Sequence, residues 1–236
     1  MCGRFSLTTA PEAMRALFDY ENLPNLAQRY NIAPTQPVAV VRAREGGAGR
    51  ELVMLRWGLV PGWAKEIGIG AKMINARAET LAEKPAFRDA FARRRCLVPA
   101  DGFYEWRMED GGKQPFRVGF RGGRPFAFAG LWERWQAPAD GGGVKQGEIV
   151  ESVAIVTTDA NDKLRPIHHR MPAILDPAGY AAWLDVAGTP ANDAGAWLRP
   201  HPPEEMAFYR VGLRVNNVRN DDEACFTPLK AAGTAG

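Results

Sequence analysis

The second residue of the chain, Cys2, has the most distinctive chemistry in the sequence. A small residue at this position permits removal of the initiator methionine, which leaves an α-amine and a thiol together on Cys2. With pKa values near ~8 and ~8.5, both groups are partly deprotonated at neutral pH. The pair suits capture of an aldehyde, because the amine forms a Schiff base and the thiol then closes a five-membered thiazolidine ring. Thiol attack on an amide is a second use, and an inert terminus is a third. The residues Gly3-Arg4-Phe5 favour an ordered strand with a basic residue beside the nucleophile.

Three further segments carry side chains suited to proton transfer or to substrate orientation. Asn75 and Arg77 in MINARAET lie on one face of a strand, where Asn can orient a nucleophile and Arg can hold a phosphate. Glu105 in PADGFYEW stands between aromatic residues, and the resulting desolvation predicts a raised pKa and acid/base work. His168 and Arg170 in IHHRMPAIL offer a proton shuttle and an anion contact. A helix-capping Asn, a solvated edge-strand Glu and a loop His are the structural alternatives.

Aromatic residues beside basic ones indicate a nucleic-acid partner. Trp57, Trp63 and Trp106 lie in RWGLVPGW and FYEW, where exposed rings suit stacking on unpaired bases. Core packing is the usual role of Trp, so at least one of the three is expected in the core. Pro37, near a loop, suits a wedge between bases. Residues 1–107 hold 16 basic and 11 acidic residues, a net of 16 − 11 = +5, which is a weak signal for an anionic partner.

The composition limits the class of protein. The chain has 236 residues, of which 46% are hydrophobic and 24% are charged, and a net charge of 30 − 27 = +3. These values exclude a disordered chain, a coiled coil and a disulfide-stapled mini-protein. Three cysteines without metal-ligand spacing and three histidines predict no metal and no cofactor. The absence of an apolar run of roughly 18 residues and of a signal peptide predicts a cytoplasmic protein without a membrane partner.

The elements that must position these residues are mainly strands. Gly and Pro separate short apolar runs, which predict six strands: Pro37–Val41, Glu51–Trp57, Pro115–Phe120, Pro125–Trp132, Ile149–Thr157 and Ala207–Val215. Because these runs do not alternate regularly with helices, a Rossmann-type layout is not expected. Residues 45–50 and 137–147, which are rich in Gly, are predicted surface loops.

Three helices are predicted at the periphery. One begins at a capping box formed by Thr9 and Glu12, and a second follows Pro85 and ends in Arg93–Arg95. The third has Asp176 as its N-cap and Pro177 at its first position. Their predicted buried faces are Met14, Leu17 and Phe18; Phe87, Ala90 and Phe91; and Tyr180, Trp183 and Leu184.

Taken in order, several segments resemble one family. They are MCGRF, YNIAPTQ, RWGLVPGWAK, MINARAET, RCLVPADGFYEW, FAGLW, IVTTDAN and IHHRMPAIL. This series resembles the SRAP (SOS-response-associated peptidase) family and runs from Met1 to about Pro228. The resemblance implies a mixed α/β (α+β), β-rich SRAP fold, with twisted, mostly antiparallel sheets in a barrel-like core and peripheral helices. It also implies one domain over residues 1–228 and a flexible tail over 229–236.

The function implied by the resemblance is sensing of abasic sites in single-stranded DNA by a monomer. Cys2, freed of Met1, would form a thiazolidine crosslink that shields the lesion in the DNA damage response. Asn75 would orient the terminus, Glu105 would be the general acid/base, and His168 would assist the opened sugar. Self-processing, crosslink reversal and strand cleavage by lyase chemistry are side activities that the resemblance allows.

The DNA contacts follow the same resemblance. Arg4 and Arg77 would hold phosphates, with Arg170 as a further anion contact, and Trp63 and Trp106 would lie near the bases that flank the lesion. His169 stands where some relatives carry Asp, which concerns the tuning of His168.

Three other classes of protein are alternatives to this interpretation. A glutamine amidotransferase also starts with Met-Cys-Gly, but the chain lacks the HTRWATHG-like and NGE-like stretches of that class. A peptidase would use the same cysteine on an amide. A non-catalytic module that binds a modified base would bind DNA without any covalent product.

Overall fold

The structure is a computed structural model that describes residues 2–46 and 48–229. The α-helices are α1 (Pro11–Phe18), α2 (Arg88–Arg93), α3 (Tyr180–Leu184) and α4 (Ala191–Gly195). The strands are β1 (Phe5–Leu7), β2 (Arg29–Ile32), β3 (Pro37–Ala43), β4 (Arg50–Trp57), β5 (Asn75–Arg77), β6 (Arg95–Ala100), β7 (Gly102–Glu109), β8 (Gly112–Phe120), β9 (Phe126–Gln136), β10 (Ile149–Asp159), β11 (Arg170–Pro172), β12 (Ile174–Leu175) and β13 (Met206–Arg210). Among these residues, no helix has the length and apolar character needed to cross a bilayer.

The larger sheet closes into a five-stranded barrel. Its strands pair around the ring in the order β10, β4, β3, β6 and β9, and β9 pairs again with β10. The β10–β4 pair is parallel and the other pairs in the ring are antiparallel. Closure leaves no free edge within the ring, so its backbone groups are satisfied internally. The short strands β5, β11 and β12 extend this sheet outside the ring.

The smaller sheet has five strands in the order β13-β8-β7-β1-β2. Three phenylalanines connect it with the barrel: Phe5 of β1 and Phe103 of β7 meet Phe128 of β9 at ring-centroid distances of 5.7 and 6.0 Å. Each of the three is at most 1% exposed. Burial of each ring stabilises the contact by roughly 1.5–3 kcal/mol, so the two sheets share one apolar core. The β-rich fold with antiparallel sheets and peripheral helices is confirmed.

The predicted strands are found, most with wider bounds, while the last one ends at Arg210 rather than Val215. The strand expected at Gly3-Arg4-Phe5 is found as β1, which begins at Phe5, and the strand expected to carry Asn75 and Arg77 is found as β5. Short runs such as β2 and β6 lacked a clear period and were not predicted as strands. Residues 45–50 and 137–147 join strands of hairpins, as predicted for surface loops, although Gly47 lies outside the described residues. The predicted tail lies outside them too, except for Leu229.

Two of the predicted helix starts need correction. The capping box at Thr9 is wrong: α1 begins at Pro11 without a side-chain cap, and Thr9 instead gives its N–H to Asp101 Oδ2 at 3.1 Å. Helix α2 begins at Arg88 rather than at Pro85, and Arg95 belongs to β6. Asp176 does accept the Ala178 N–H as an N-cap, at the start of a 3₁₀ turn that leads into α3. The apolar faces are confirmed in their main contacts, since Met14, Phe18, Ala90, Phe91, Tyr180, Trp183 and Leu184 are buried.

Candidate active site

Cys2 and Glu105 reach the same place because β1 and β7 run antiparallel. Phe5 pairs with Phe103, and the Tyr104 N–H donates to the Arg4 carbonyl at 2.9 Å. Carried back to the start of the chain, this register brings Gly3 level with Glu105. The regular strand begins only at Phe5, so Cys2 lies on the extended segment just before it. The antiparallel register therefore places Cys2 beside Glu105.

Asn75 arrives from the barrel. It opens β5, which pairs in parallel with β10 through Asn75 and Ile155. The preceding loop folds back tightly at Gly58, which has a φ of +123° and whose missing Cβ would stand 2.5 Å from the Gly70 carbonyl oxygen. A side chain at Gly58 would clash there, so the glycine is needed for this path.

The Asn75 side chain contacts the terminus directly. Its Nδ2 donates to the Cys2 carbonyl oxygen at 2.9 Å. Its Oδ1 is buried and has no hydrogen-bond partner among the described residues. An unsatisfied buried acceptor costs free energy, so this atom is well suited to receive a donor from a group that arrives there.

Glu105 is a buried carboxyl group, with 5% of its surface exposed. Its strand β7 lies between β1 and β8, so the alternative of a solvated edge-strand residue is wrong. Burial raises the pKa of Glu105 to about 7, because the charged form loses water. A carboxyl group that titrates near neutrality exchanges protons readily at the pH of a cell. The aromatic flanks in the sequence predicted this desolvation.

The Cys2 thiol is fully buried, and its Sγ lies 3.8 Å from the Arg4 carbonyl oxygen. Burial raises the pKa of the thiol, and the nearby Glu105 carboxylate raises it further. The thiol is therefore protonated at neutral pH, and its reaction requires a base to take the proton. The charge of the neighbouring Glu105 carboxylate acts on Cys2.

His168 lies two residues before the start of β11. His168 Nδ1 lies 2.9 Å from the Arg170 backbone nitrogen and 3.1 Å from the Arg170 carbonyl oxygen, so the Arg170 backbone holds the ring through Nδ1. Burial lowers the pKa of His168, so the ring is neutral at pH 7. The ring of His168 lines the same cleft as Glu105.

Arg170 is buried and held on several sides. Its guanidinium donates to both carboxylate oxygens of Glu79 at 2.8 and 2.9 Å, to Asp159 at 2.8 Å and to the Thr157 carbonyl at 2.7 Å. Glu79 follows β5 directly, so this ion pair connects the segment that carries Asn75 with the one that carries His168. These contacts indicate that Arg170 orders the site, and its predicted contact with DNA stays a prediction.

A cleft of about 450 Å³ opens beside these groups. Its lining joins residues from both ends of the chain: Arg4, Glu105, Trp106, Lys113, His168 and Asn216. Apart from Glu105 the ionisable residues of this lining are Arg4, Lys113 and His168, so the cleft favours an anionic ligand. Trp106 gives it one aromatic wall, and the indole N–H donates to Asn216 Oδ1 at 2.8 Å.

Arg4 has much of its hydrogen-bonding capacity directed at the protein. It donates to Asn31 Oδ1 at 3.1 Å, to the Val215 carbonyl at 2.6 Å and to the Asn216 carbonyl at 3.4 Å. Burial lowers the pKa of Arg4. These contacts anchor the segment around Asn216 on the start of the chain, and the predicted phosphate contact of Arg4 stays a prediction.

Three of the residues predicted to contact DNA, Arg77, Pro37 and Trp63, do not line this cleft. Arg77 is exposed at the end of β5, and Pro37 is exposed at the start of β3. Trp63 is 60% exposed but lines a different cavity, together with Lys65 and Lys72. Trp57 is wholly buried, which confirms that at least one of the three tryptophans belongs to the core. Within the described ranges, no three histidine, cysteine or acidic side chains come together to hold a metal ion.

Sequence reasoning missed three residues at this site: Asn31, Lys113 and Asn216. Asn31 is fully buried, and its Nδ2 donates to the carbonyl groups of Val215, Asn217 and Asn220. The run of asparagines in RVNNVRN was the available signal, because Asn side chains commonly satisfy irregular backbone. Nothing local indicated that this run would fold onto Arg4, which is more than 200 positions away.

Comparisons with known proteins agree with this geometry. The family model described as "SOS response associated peptidase (SRAP)" matches residues 1–218. The chain is 39% identical over 225 residues to the abasic site processing protein YoqW of Bacillus subtilis, covering 94% of this chain and 96% of that one. It is 32% identical to the abasic site processing protein HMCES of Gallus gallus, covering 98% and 78% of the two chains. A crystal structure of a protein from Bacteroides thetaiotaomicron superposes with a TM-score of 0.83 at 26% identity, covering 97% of this chain and 100% of that one.

Proposed function

The chain belongs to the SOS response associated peptidase (SRAP) family, and from this membership we propose that it processes abasic sites in DNA. In finer detail, the chain captures the ring-opened aldehyde of an abasic site in single-stranded DNA on Cys2, after loss of Met1. The product is a thiazolidine crosslink that shields the lesion. The meeting of Cys2, Asn75 and Glu105 in one buried site is the observation that supports this most.

The reaction balances without any cofactor. The Cys2 amine adds to the aldehyde carbon, and the resulting carbinolamine loses its oxygen as water to give an iminium ion. The Cys2 sulfur then bonds to the same carbon and gives up its proton, so the nitrogen becomes a secondary amine in the ring. One water leaves for each crosslink, and the DNA backbone keeps its phosphates.

Glu105 supplies the protons that these steps need. With a pKa of about 7, it donates a proton to the departing hydroxyl group and takes one from the thiol in the next step. The raised pKa of the Cys2 thiol fits this order, because the sulfur stays protonated until the iminium carbon is formed. The buried carboxyl group therefore serves first as an acid and then as a base.

Asn75 orients the new amine. Its Nδ2 holds the Cys2 carbonyl, and its unpaired Oδ1 accepts a hydrogen from the adjacent nitrogen once the peptide bond to Met1 is gone. This contact turns the lone pair of the amine away from Asn75 and towards the cleft.

His168 and the basic lining of the cleft act on the rest of the lesion. The His168 ring is held through Nδ1 by the Arg170 backbone, and it exchanges a proton with an oxygen of the opened sugar. Phosphate binding without readout of base edges implies little sequence preference and a strong dependence on salt.

Intact mass spectrometry tests the covalent step. The protein is incubated with a single-stranded oligonucleotide that has one abasic site, and the expected mass is the sum of both chains, less Met1 and one water. Cys2→Ala retains an amine but no thiol, so it is expected to give only an adduct that requires borohydride reduction to survive heating. Cys225→Ala removes another buried thiol and is expected to crosslink normally.

An undiminished heat-stable adduct from Cys2→Ala would refute the thiazolidine. Retention of Met1 in a protein that still crosslinks would refute the role of the terminal amine. Release of ammonia from glutamine by the wild-type protein, without any DNA adduct, would favour the amidotransferase alternative instead.

A further inference from the structure

Asn216 is exposed and lines the cleft, and the orientation of its amide is determined by its neighbour. The Trp106 indole nitrogen can only donate, so the Asn216 atom 2.8 Å away must be the oxygen. The Nδ2 of Asn216 is therefore the other end of the amide group. It carries two hydrogens, while the Oδ1 is already used.

The backbone beneath Asn216 is held independently of its side chain. Arg4 and Asn31 donate to the main-chain carbonyl groups of Val215, Asn216 and Asn217. Asp221 completes this attachment by accepting the backbone N–H of Asn31 at 2.8 Å. Because these contacts use backbone oxygens, a substitution at position 216 changes the cleft without releasing the segment.

The surroundings indicate which chemistry Nδ2 meets. Lys113 lines the same cleft and has no ion-pair partner among the described residues. Arg4 adds a second positive charge to the lining, and Glu105 is buried with a pKa near neutrality. A donor in such a basic cleft is matched to an anionic oxygen.

We propose that Asn216 contacts the DNA strand: its Nδ2 donates to a phosphodiester oxygen while its Oδ1 holds the Trp106 ring in place. This inference rests on the proposed function, since it takes single-stranded DNA as the ligand. It also explains how Trp106 recognises the strand. With its N–H occupied by Asn216, the indole offers only its face, which stacks on any base and reads none.

Affinity for a non-reactive strand tests the contact. The probe is a fluorescent single-stranded oligonucleotide with a tetrahydrofuran abasic analogue, which has no aldehyde and so reports binding alone. Asn216→Asp keeps an oxygen for Trp106 but replaces the donor with a negative oxygen, so the Kd is expected to rise at least tenfold. Asn216→Ala loses both contacts without adding charge and is expected to bind about three- to tenfold more weakly.

Asn217→Asp is the matched control. It adds the same charge to the next residue, which is also exposed, does not line the cleft and accepts the Arg219 N–H through Oδ1. Its Kd is expected to rise less than threefold. Thermal melting of all variants should agree with the wild type within about 2 °C, because the backbone anchors are unchanged.

Each outcome bears on a defined statement. Equal Kd values for Asn216→Asp and Asn217→Asp, or wild-type binding by Asn216→Ala, would overturn the contact while leaving the crosslink untouched. A wild-type protein that binds the analogue through Asn216 but gives no adduct with a natural abasic site would support the contact and overturn the covalent proposal. A wild-type protein that does not bind single-stranded DNA would overturn both.

Discussion

Replacing Glu105 by glutamine should make the protein more stable in alkaline solution while impairing its chemistry. The folded protein holds the pKa of Glu105 at about 7, against 4.5 for a solvated carboxyl group. The pKa is raised on folding, so ionisation opposes the folded state. The contribution of Glu105 to the free energy of unfolding is therefore most favourable below pH 4.5, where the group is protonated in both states, and it is lost as the pH rises through 7.

The magnitude follows from the two pKa values. A difference of about 2.5 units corresponds to about 3 kcal/mol at pH 9, where both the folded and the unfolded chain carry the charge. At pH 5 the same relation gives about 1 kcal/mol, since the group is partly protonated in the unfolded chain. Glutamine carries no charge at any pH, so Glu105→Gln should gain roughly 2–3 kcal/mol over the wild type between pH 5 and pH 9.

Urea unfolding at pH 5, 7 and 9 measures this difference directly, because pH effects from all other groups cancel between the two proteins. Glu133→Gln is the matched control. Glu133 is also buried, but its charge is compensated by an ion pair with Arg94 at 2.6 Å. Its replacement by glutamine should therefore not stabilise the protein in alkaline solution. A stability difference for Glu105→Gln that does not change with pH would refute the burial argument. Unchanged crosslinking by that variant would refute its proposed role as acid and base.

Three more predictions follow from individual contacts. The His168 ring should titrate by NMR with a midpoint below 6.5, because burial lowers its pKa; a midpoint above 6.5 would contradict the neutral ring at pH 7. Glu79→Gln should slow crosslinking at saturating DNA by severalfold, because it weakens the ion pair with Arg170 that joins the Asn75 and His168 segments. Asp159 also pairs with Arg170, but its side chain is 77% exposed, so Asp159→Asn should slow crosslinking less. Equal rates for the two variants would remove that positioning role. Trp57→Ala should lower the free energy of unfolding by about 3–5 kcal/mol, because it leaves a cavity in the core. Trp63→Ala, at an exposed position, should change it by about 0.5 kcal/mol or less. Chemical denaturation measures both values, and similar losses for the two variants would contradict the burial of Trp57.

Several features of this protein were predictable from residues that are neighbours in the sequence. The burial of Glu105 is an example, because its aromatic neighbours in the sequence predicted a desolvated carboxyl group and the side chain is buried. Asp176 followed by Pro177 also predicted a capped helical turn correctly, since a cap involves only adjacent residues. Thr9 and Glu12 failed as a cap because Asp101, more than 90 positions away, takes the Thr9 N–H.

The amino-acid sequence by itself determined the types of reactive groups, the alternation of short apolar strands and the family to which the chain belongs. Only the tertiary structure decided which groups meet. The antiparallel register of β1 and β7 brings Cys2 to Glu105, parallel pairing of β5 with β10 adds Asn75, and the late asparagine-rich segment folds back onto Arg4 to add Asn216. These encounters depend on contacts between residues 70 to more than 200 positions apart, whose free energy is realised only when both sheets pack on their shared core.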